Sequence, residues 1–212
     1  MIRVSRIAAP ITALGPGVRV AVWVQGCSLG CAGCASVDTW DAAGGVERVV
    51  ADVAREVCDE AARTGARGLT ISGGEPFQQH VAVADLVDTV RRRWPAGDPV
   101  DVLAFTGYAA SAARRVSPTL WAALDAAIAG PYVRTRPSTH PLLASANQTL
   151  ELLTDLGRER IAAEPHDARR VQISVQGRDL HLAGLPNPGD LDRLRAALAR
   201  DGIRFADVSW EG

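Results

Sequence analysis

The sequence contains no lysine; all 23 of its positive residues are arginine. No lysine can therefore form a Schiff base or act as a catalytic base here. A strong charge of either sign is also missing. With 23 basic and 24 acidic residues the formal net charge is −1, so no basic field argues for nucleic acid and no acidic run argues for a solvating tail. No apolar run approaches the ~18 residues needed to span a bilayer. The opening segment, MIRVSRIAAPITALGPG, lacks the uninterrupted apolar stretch of a secretory signal. The expectation is a cytoplasmic protein that engages neither membrane nor nucleic acid. In that compartment thiols stay reduced, and clustered cysteines point to metal or catalysis rather than to disulfides.

Internal repeats and low-complexity linkers are absent too. At 212 residues and 47% hydrophobic content the chain can bury a sizeable core, and one domain with a small appendage is expected. Residues 2–24 read as two strands around Gly15-Pro16-Gly17, the second ending at Val24. A helix is expected over about 46–63, with Val46, Val49, Val50, Val53 and Val57 on one face. A short strand, Leu69-Thr70-Ile71-Ser72, leads into Gly73-Gly74-Glu75-Pro76. A second helix over about 81–94 is stopped by Pro95. A strand over 100–106 follows, then a helical stretch over 109–124 broken at Pro118, and a weak strand over 125–129. This order predicts an α/β fold, a parallel sheet covered by helices and open or partly closed into a (β/α) barrel. The last forty residues differ. A hairpin over 171–176 and 179–183 turns at Gly177-Arg178, a helix spans about 190–200, and a strand near 205–210 completes a ββαβ unit. The division expected is a partial barrel over 1–155 and the C-terminal ββαβ extension over 156–212.

The chemistry sits in Cys27-Ser28-Leu29-Gly30-Cys31-Ala32-Gly33-Cys34, directly after a predicted strand; three of the four cysteines lie within these eight residues. Thiolates on so tight a loop must converge, and Gly30 and Gly33 ease the backbone conformations that wrapping requires. Iron–sulfur cubanes usually take four thiolates. Three leave one iron open to a small molecule, as a catalytic zinc keeps an open position. Zinc remains an alternative, although its sites usually show two separated ligand pairs. Cys58 lies in the first helix beside Val57 and reads as a small core hydrophobe. The Gly73-Gly74-Glu75-Pro76 loop comes one βαβ unit later. Loops at the carboxyl ends of parallel strands share one ligand-binding face, so the two loops should lie side by side. Paired glycines let backbone carbonyls approach a ligand and accept from an ammonium group.

The cysteine spacing and the Gly-Gly-Glu-Pro loop together resemble the radical S-adenosylmethionine superfamily. The resemblance implies a [4Fe–4S] cluster held by Cys27, Cys31 and Cys34, with S-adenosylmethionine on the fourth iron. It implies adenine against the backbone of Gly33, Cys34 and Ala35, and the cofactor ammonium group at Gly73, Gly74 and Glu75. Thr106, at the end of the third sheet strand, is a further cofactor neighbour. Val24-Gln25-Gly26-Cys27, Asp38-Thr39-Trp40-Asp41, Phe105-Thr106-Gly107-Tyr108, Gly130-Pro131-Tyr132 and Asn147-Gln148 are similar to the activating proteins of glycyl radical enzymes, those of anaerobic ribonucleotide reductase and pyruvate formate-lyase. That likeness covers about residues 10–150. It implies reductive cleavage of S-adenosylmethionine to methionine and a 5′-deoxyadenosyl radical, a flavodoxin or ferredoxin reductant, and hydrogen abstraction from a glycine of a larger enzyme. The chain departs from the group at Ala129, at Ala144-Ser145-Ala146 and in the tail from about Val171. Those departures keep a peptide or small-molecule substrate open. A non-catalytic iron–sulfur or zinc protein is the reading from a different class.

No side chain is assigned as a catalytic acid or base. Glu75 reads as shaping the cofactor pocket. Trp40 and Asp41 follow the cysteine loop as packing or as substrate contacts. His80, His140, His166 and His181 read as surface or loop residues, and Arg91-Arg92-Arg93 suits a helix C-terminus and solvent.

Overall fold

The computed structural model describes residues 1–95, 97–162, 171–176, 179–187 and 189–204. The strands are β1 (Ile2–Ile11), β2 (Arg19–Val24), β3 (Val46–Arg48), β4 (Gly68–Gly73), β5 (Asp101–Thr106), β6 (Ala126–Ala129), β7 (Thr149–Leu152), β8 (Val171–Gln176) and β9 (Asp179–Gly184). The helices are α1 (Val50–Thr64), α2 (His80–Arg93), α3 (Ala110–Val116), α4 (Pro118–Ala123), α5 (Asp155–Ile161) and α6 (Asp190–Arg200). His166, the Gly177-Arg178 turn, Pro188 and the strand expected at 205–210 lie outside the described residues.

Every residue of β2 is buried, which places it inside a sheet with both faces covered. It pairs in parallel with β4, β4 with β5, and β5 with β6. The flanks are antiparallel: β1 on β2, β3 on β1, and β7 on β6. The result is a seven-stranded sheet ordered β3-β1-β2-β4-β5-β6-β7, with β3 and β7 outermost among the described strands. Because β3 opposes β1 and β1 opposes β2, five of the seven strands point the same way. The architecture is thus mixed α/β around a largely parallel sheet.

Alternation along the strands separates the two faces. Val20, Val22, Ile71 and Val102 form one core with Val53 and Val57 of α1, Val83, Leu86, Val87 and Val90 of α2, and Leu120 of α4. Valine is a poor helix former, yet α2 carries four of its apolar anchors fully buried, three of them valine. Burial contributes about 1.5–3 kcal/mol for each such side chain, against a few tenths for propensity. The opposite face carries Trp23, Ile11 and Leu14 with Ala183 of β9, and Leu103 and Ile128 with Leu142 and Ile161. Ile161 seats α5 against the main sheet. At the starting ends of the parallel strands, buried Arg19 donates to Thr70 Oγ1 (2.7 Å), the Leu69 carbonyl (2.9 Å) and Asp101 Oδ2 (2.6 Å). One guanidinium thereby ties β2, β4 and β5 together.

Three local expectations are corrected. The first helix begins at Val50, not near Val46, because Val46–Arg48 instead satisfies the free edge of β1 as β3. Val49 is the extended N-cap, and Val46 and Val49 are 61% and 49% exposed, off the buried helical stripe. The strand β7 and the helix α5 were not expected from the sequence. Side chains of β7 are at most half-buried, which weakens the alternation signal, and α5 has seven residues, started by Thr154 Oγ1 accepting from Gly157 N–H at 3.0 Å. The remaining predicted helices and strands up to residue 200 that fall on described residues occur within one or two residues of their expected bounds. Among the described residues, no helix is long and apolar enough to cross a membrane.

Candidate functional site

The carboxyl ends of β2, β4, β5 and β6 lie at one edge of the sheet, and backbone bonds link β2 to β4 and β5 to β6 there. Gly74 N–H donates to the Val24 carbonyl and Glu75 N–H to the Gly26 carbonyl, both at 2.8 Å. The cysteine loop and the Gly-Gly-Glu-Pro loop therefore touch through their backbones. Further along, Gly130 N–H donates to the Thr106 carbonyl at 3.1 Å.

Side chains from the second loop staple the first. Gln78 Nε2 donates to Ser28 Oγ (2.6 Å) and its Oε1 accepts from Ser28 N–H (3.1 Å). Gln79 Nε2 donates to the Gln25 and Arg3 carbonyls at 2.9 and 3.0 Å. Gln25 holds the loop's return through the Asp38 and Asp41 carbonyls at 3.1 and 2.9 Å. Sequence reasoning passed over Gln78 and Gln79; a polar pair just past a tight turn carries no signal that it reaches back to a preceding loop.

Cys27, Cys31 and Cys34 are free and half-buried. Gly30 and Gly33 take φ +57° and +78°, the left-handed conformations that the loop was expected to need. Burial pushes the Cys27 thiol up, more than the Leu29 and Gly30 N–H groups pull it back, and the charges of Glu75 and Cys31 add to the rise. Burial also pushes Cys34 up; the Ser36 N–H, 3.4 Å from its sulfur, and the Trp40 side chain lower it, and Cys31 and Cys27 raise it. The three thiols are thus electrostatic neighbours on one loop. Among the described residues, no three His, Cys, Asp or Glu side chains are already gathered tightly enough to grip a metal ion. The donor chemistry nonetheless fits an iron–sulfur cluster, since three soft sulfurs on a glycine-relieved loop match the ligand type that such clusters take. Cys58 stands apart, buried in α1 with its sulfur 3.9 Å from the Val90 carbonyl.

Glu75 is 1% exposed. Its carboxylate accepts from Phe77 N–H (3.0 Å), Thr106 Oγ1 (2.7 Å) and Gly107 N–H (2.8 Å). Burial pushes its carboxyl above the ordinary range, against those three donors. Thr106 in turn accepts from Tyr108 N–H at 3.1 Å. The carboxylate so joins the ends of β4 and β5 from inside. A Cβ on Gly107 would lie 2.4 Å from Leu29 Cδ1, so the cysteine loop rests its leucine on that glycine.

Beside the loop, on the sheet face opposite α1, α2 and α4, is a cavity of about 410 Å³. Gly33, Cys34, Ala35 and Gly73 line it together with Trp23, Phe105, Tyr132 and Arg134; Gly74, Glu75 and Thr106 do not. Tyr132 and Arg134 were given no role from sequence. They are carried by the 130–148 segment, which Gln148 closes by donating to the Gly130 carbonyl (3.0 Å) and accepting from Ala144 and Ser145 N–H (2.9 and 3.1 Å). Asn147 donates to the Pro131 carbonyl at 2.7 Å, which gives Asn147-Gln148 a physical purpose. Leu14, Ser36, Ser72 and Ala144 complete that side, and the facing wall comes from β9, α6 and the loop between them.

The remaining singled-out residues do local work. Trp40 reaches Cys34, and Asp41 Oδ1 caps its own turn at Ala43 N–H, 2.8 Å away. His80 opens α2, His140 Nδ1 accepts from Leu142 N–H (3.1 Å), and His181 lines a small cleft under the hairpin. Arg92 pairs with Asp88 along its helix, and Arg91 bonds Asp125 at 2.7 Å.

Comparison with known proteins agrees with this geometry. Residues 13–151 match the family described as a 4Fe-4S single cluster domain. The anaerobic ribonucleoside-triphosphate reductase-activating protein of Enterobacteria phage T4 is 30% identical over 143 residues, 66% of this chain and 88% of that protein. The pyruvate formate-lyase-activating enzyme of Listeria monocytogenes is 40% identical over 83 residues, 36% of this chain. The pyruvate formate-lyase 1-activating enzyme of Escherichia coli K12 is 40% identical over 73 residues, 34% of this chain. The match spans only 32% and 30% of those last two enzymes. This chain thus belongs to the 4Fe-4S single cluster domain family and resembles the radical S-adenosylmethionine activators of glycyl radical enzymes.

Proposed function

We propose that this chain is a radical S-adenosylmethionine enzyme that activates a glycyl radical enzyme, on the partial-barrel scaffold of that superfamily, in the cytoplasm. The observation that carries the reading is the backbone-bonded apposition of the cysteine loop and the Gly-Gly-Glu-Pro loop at the ends of adjacent parallel strands. Cys27, Cys31 and Cys34 would hold three corners of a [4Fe–4S] cluster as thiolates. The chemistry such a cluster would supply, with S-adenosylmethionine bound, is the one-electron cleavage of the sulfonium to methionine and a 5′-deoxyadenosyl radical. The protein binds and orients. Gly33, Cys34 and Ala35 offer backbone to an adenine, and Gly73 and Gly74 offer carbonyls to an ammonium group. Glu75 and Thr106 brace those loops from within, so Glu75 acts as a positioning residue rather than a base. Leu29 packs on Gly107 and so fixes the cysteine loop against the end of β5. A flavodoxin or ferredoxin is the reductant, and the hydrogen donor is a glycine of a larger partner.

A second reading keeps the chemistry and exchanges the partner for a peptide or small molecule. It is favoured by the C-terminal unit's share of the cavity lining. Anaerobic reconstitution with iron and sulfide, then dithionite and S-adenosylmethionine, tests the chemistry. Iron loading and 5′-deoxyadenosine should vanish in Cys27→Ala, Cys31→Ala and Cys34→Ala and persist in Cys58→Ala. A loaded cubane that binds no S-adenosylmethionine and yields no 5′-deoxyadenosine would leave an electron carrier instead.

A further inference from the structure

The cavity beside the cysteine loop has two walls of different origin. The inner wall is the cysteine loop with Trp23, Gly73 and Phe105; the outer wall is Leu182–Asn187, Gly189, Leu191 and Asp192. The family match ends at residue 151 and β8 begins at Val171, so the outer wall comes wholly from beyond the shared fold. We propose that the β8–β9–α6 unit forms the outer half of the nucleoside pocket, clasping the adenosine of S-adenosylmethionine against Gly33, Cys34 and Ala35. The proposal rests on the reading that this loop seats the cofactor.

Size, chemistry and attachment all point there. A volume of about 410 Å³ lies within the ~300–1,000 Å³ of small-molecule pockets. Trp23 and Phe105 inside, with Leu185 and Leu191 outside, present apolar surface on both sides, as a planar purine requires. Asp192 lines the same space with an exposed carboxylate. Carboxylates accept from ribose hydroxyls in nucleotide sites of other folds, and among the described residues Asp192 is the acid that lines this cavity. The unit is also fixed to the core at its far side. Gln172 accepts from Thr12 N–H (3.0 Å) and donates to the Pro10 carbonyl (2.7 Å), while Ala183 is buried against Ile11, Leu14 and Trp23. Those anchors hold the hairpin on β1 and β2 and leave Leu185–Asn187, Gly189, Leu191 and Asp192 to face a ligand.

Hydrogen–deuterium exchange on the full-length, cluster-loaded and unreduced protein tests this, with S-adenosylmethionine and with S-adenosylhomocysteine. Protection is expected in two separate stretches, 29–36 and 183–192. Calorimetric titration should show S-adenosylmethionine bound about tenfold more weakly by Leu191→Asp and about threefold more weakly by Asp192→Asn, with Val175→Asp, on the hairpin's exposed side, within about twofold of the parent. Protection at 29–36 without any at 183–192 would overturn the proposal and leave the cofactor reading standing. An absence of both binding and protection would overturn the two together.

Discussion

Gly74→Ala is the sharpest test of how the two loops meet. A Cβ at this position would fall 2.3 Å from the Gly26 carbonyl oxygen, 2.8 Å from its carbon and 2.9 Å from its nitrogen. All three are backbone atoms at the root of Cys27, so no side-chain rotation relieves the overlap. Reaching ordinary contact at 3.4 Å means an opening of about 1.1 Å (3.4 less 2.3) between the ends of β2 and β4. Such an opening strains the Glu75–Gly26 and Gly74–Val24 bonds, both 2.8 Å. Overpacking costs about 1–3 kcal/mol and each of the two weakened bonds about 0.5–1.5 kcal/mol, for a total of about 2–6 kcal/mol. Gly65→Ala is the comparison. That residue caps α1 at φ +68° with nothing within 4 Å of a Cβ, so its cost is the left-handed backbone alone, about 1–2 kcal/mol. Urea unfolding of both apo variants at unchanged m gives the two values. Iron per chain after reconstitution should fall in Gly74→Ala and stay at the parental level in Gly65→Ala. A Gly74→Ala protein as stable as the parent and fully loaded with iron would refute the close contact between the loops.

Two further outcomes are expected. Burial is the largest cause holding Cys27 and Cys34 above the ordinary thiol range, which keeps the reactive thiolate form scarcer than in a free cysteine. Iodoacetamide should modify them more slowly than an unfolded cysteine peptide, with a rate still climbing past pH 9; a plateau below pH 8 would contradict this. The sign for stability follows: a raised folded-state value stabilises below the unfolded value and is lost as pH rises through the folded one, so the apo-protein weakens above about pH 9. At the opposite end of the strands, Arg19→Met leaves buried Asp101 without its 2.6 Å partner and should cost about 3–5 kcal/mol by urea unfolding. Adding Asp101→Leu should recover much of that loss, and iron loading should stay unchanged in both proteins.

The reach of sequence reasoning differs from element to element. Val20–Val24, Leu69–Ile71 and Val102–Ala104 are runs buried on both faces, and continuous apolar runs between glycines are legible as parallel strands. Strand order makes the cysteine loop and Gly73-Gly74 neighbours before any coordinate is known, because parallel connections put their exit loops on one edge. By contrast, Val46 and Val49 share the helical spacing of Val50 and Val53, and only the open edge of β1 draws residues 46–48 into a strand. Periodicity within one segment contains no term for a partner forty residues away.

The site divides along the same line. The sequence by itself determined which atoms are available: three sulfurs on one loop, a paired-glycine loop beside them, and no lysine anywhere. Spacing and residue type are enough for that, since a short loop cannot separate its own ligands. Only the tertiary structure decided that Glu75 turns inward to Thr106 and Gly107, that Gln78 and Gln79 reach back to the cysteine loop, and that Asn147-Gln148 hold Tyr132 and Arg134 at the cavity. It alone placed the β9–α6 segment as the cavity's outer wall. Those contacts join residues from 18 to more than 150 positions apart, and such pairings follow from packing and hydrogen-bond satisfaction across the whole chain, which no local pattern encodes.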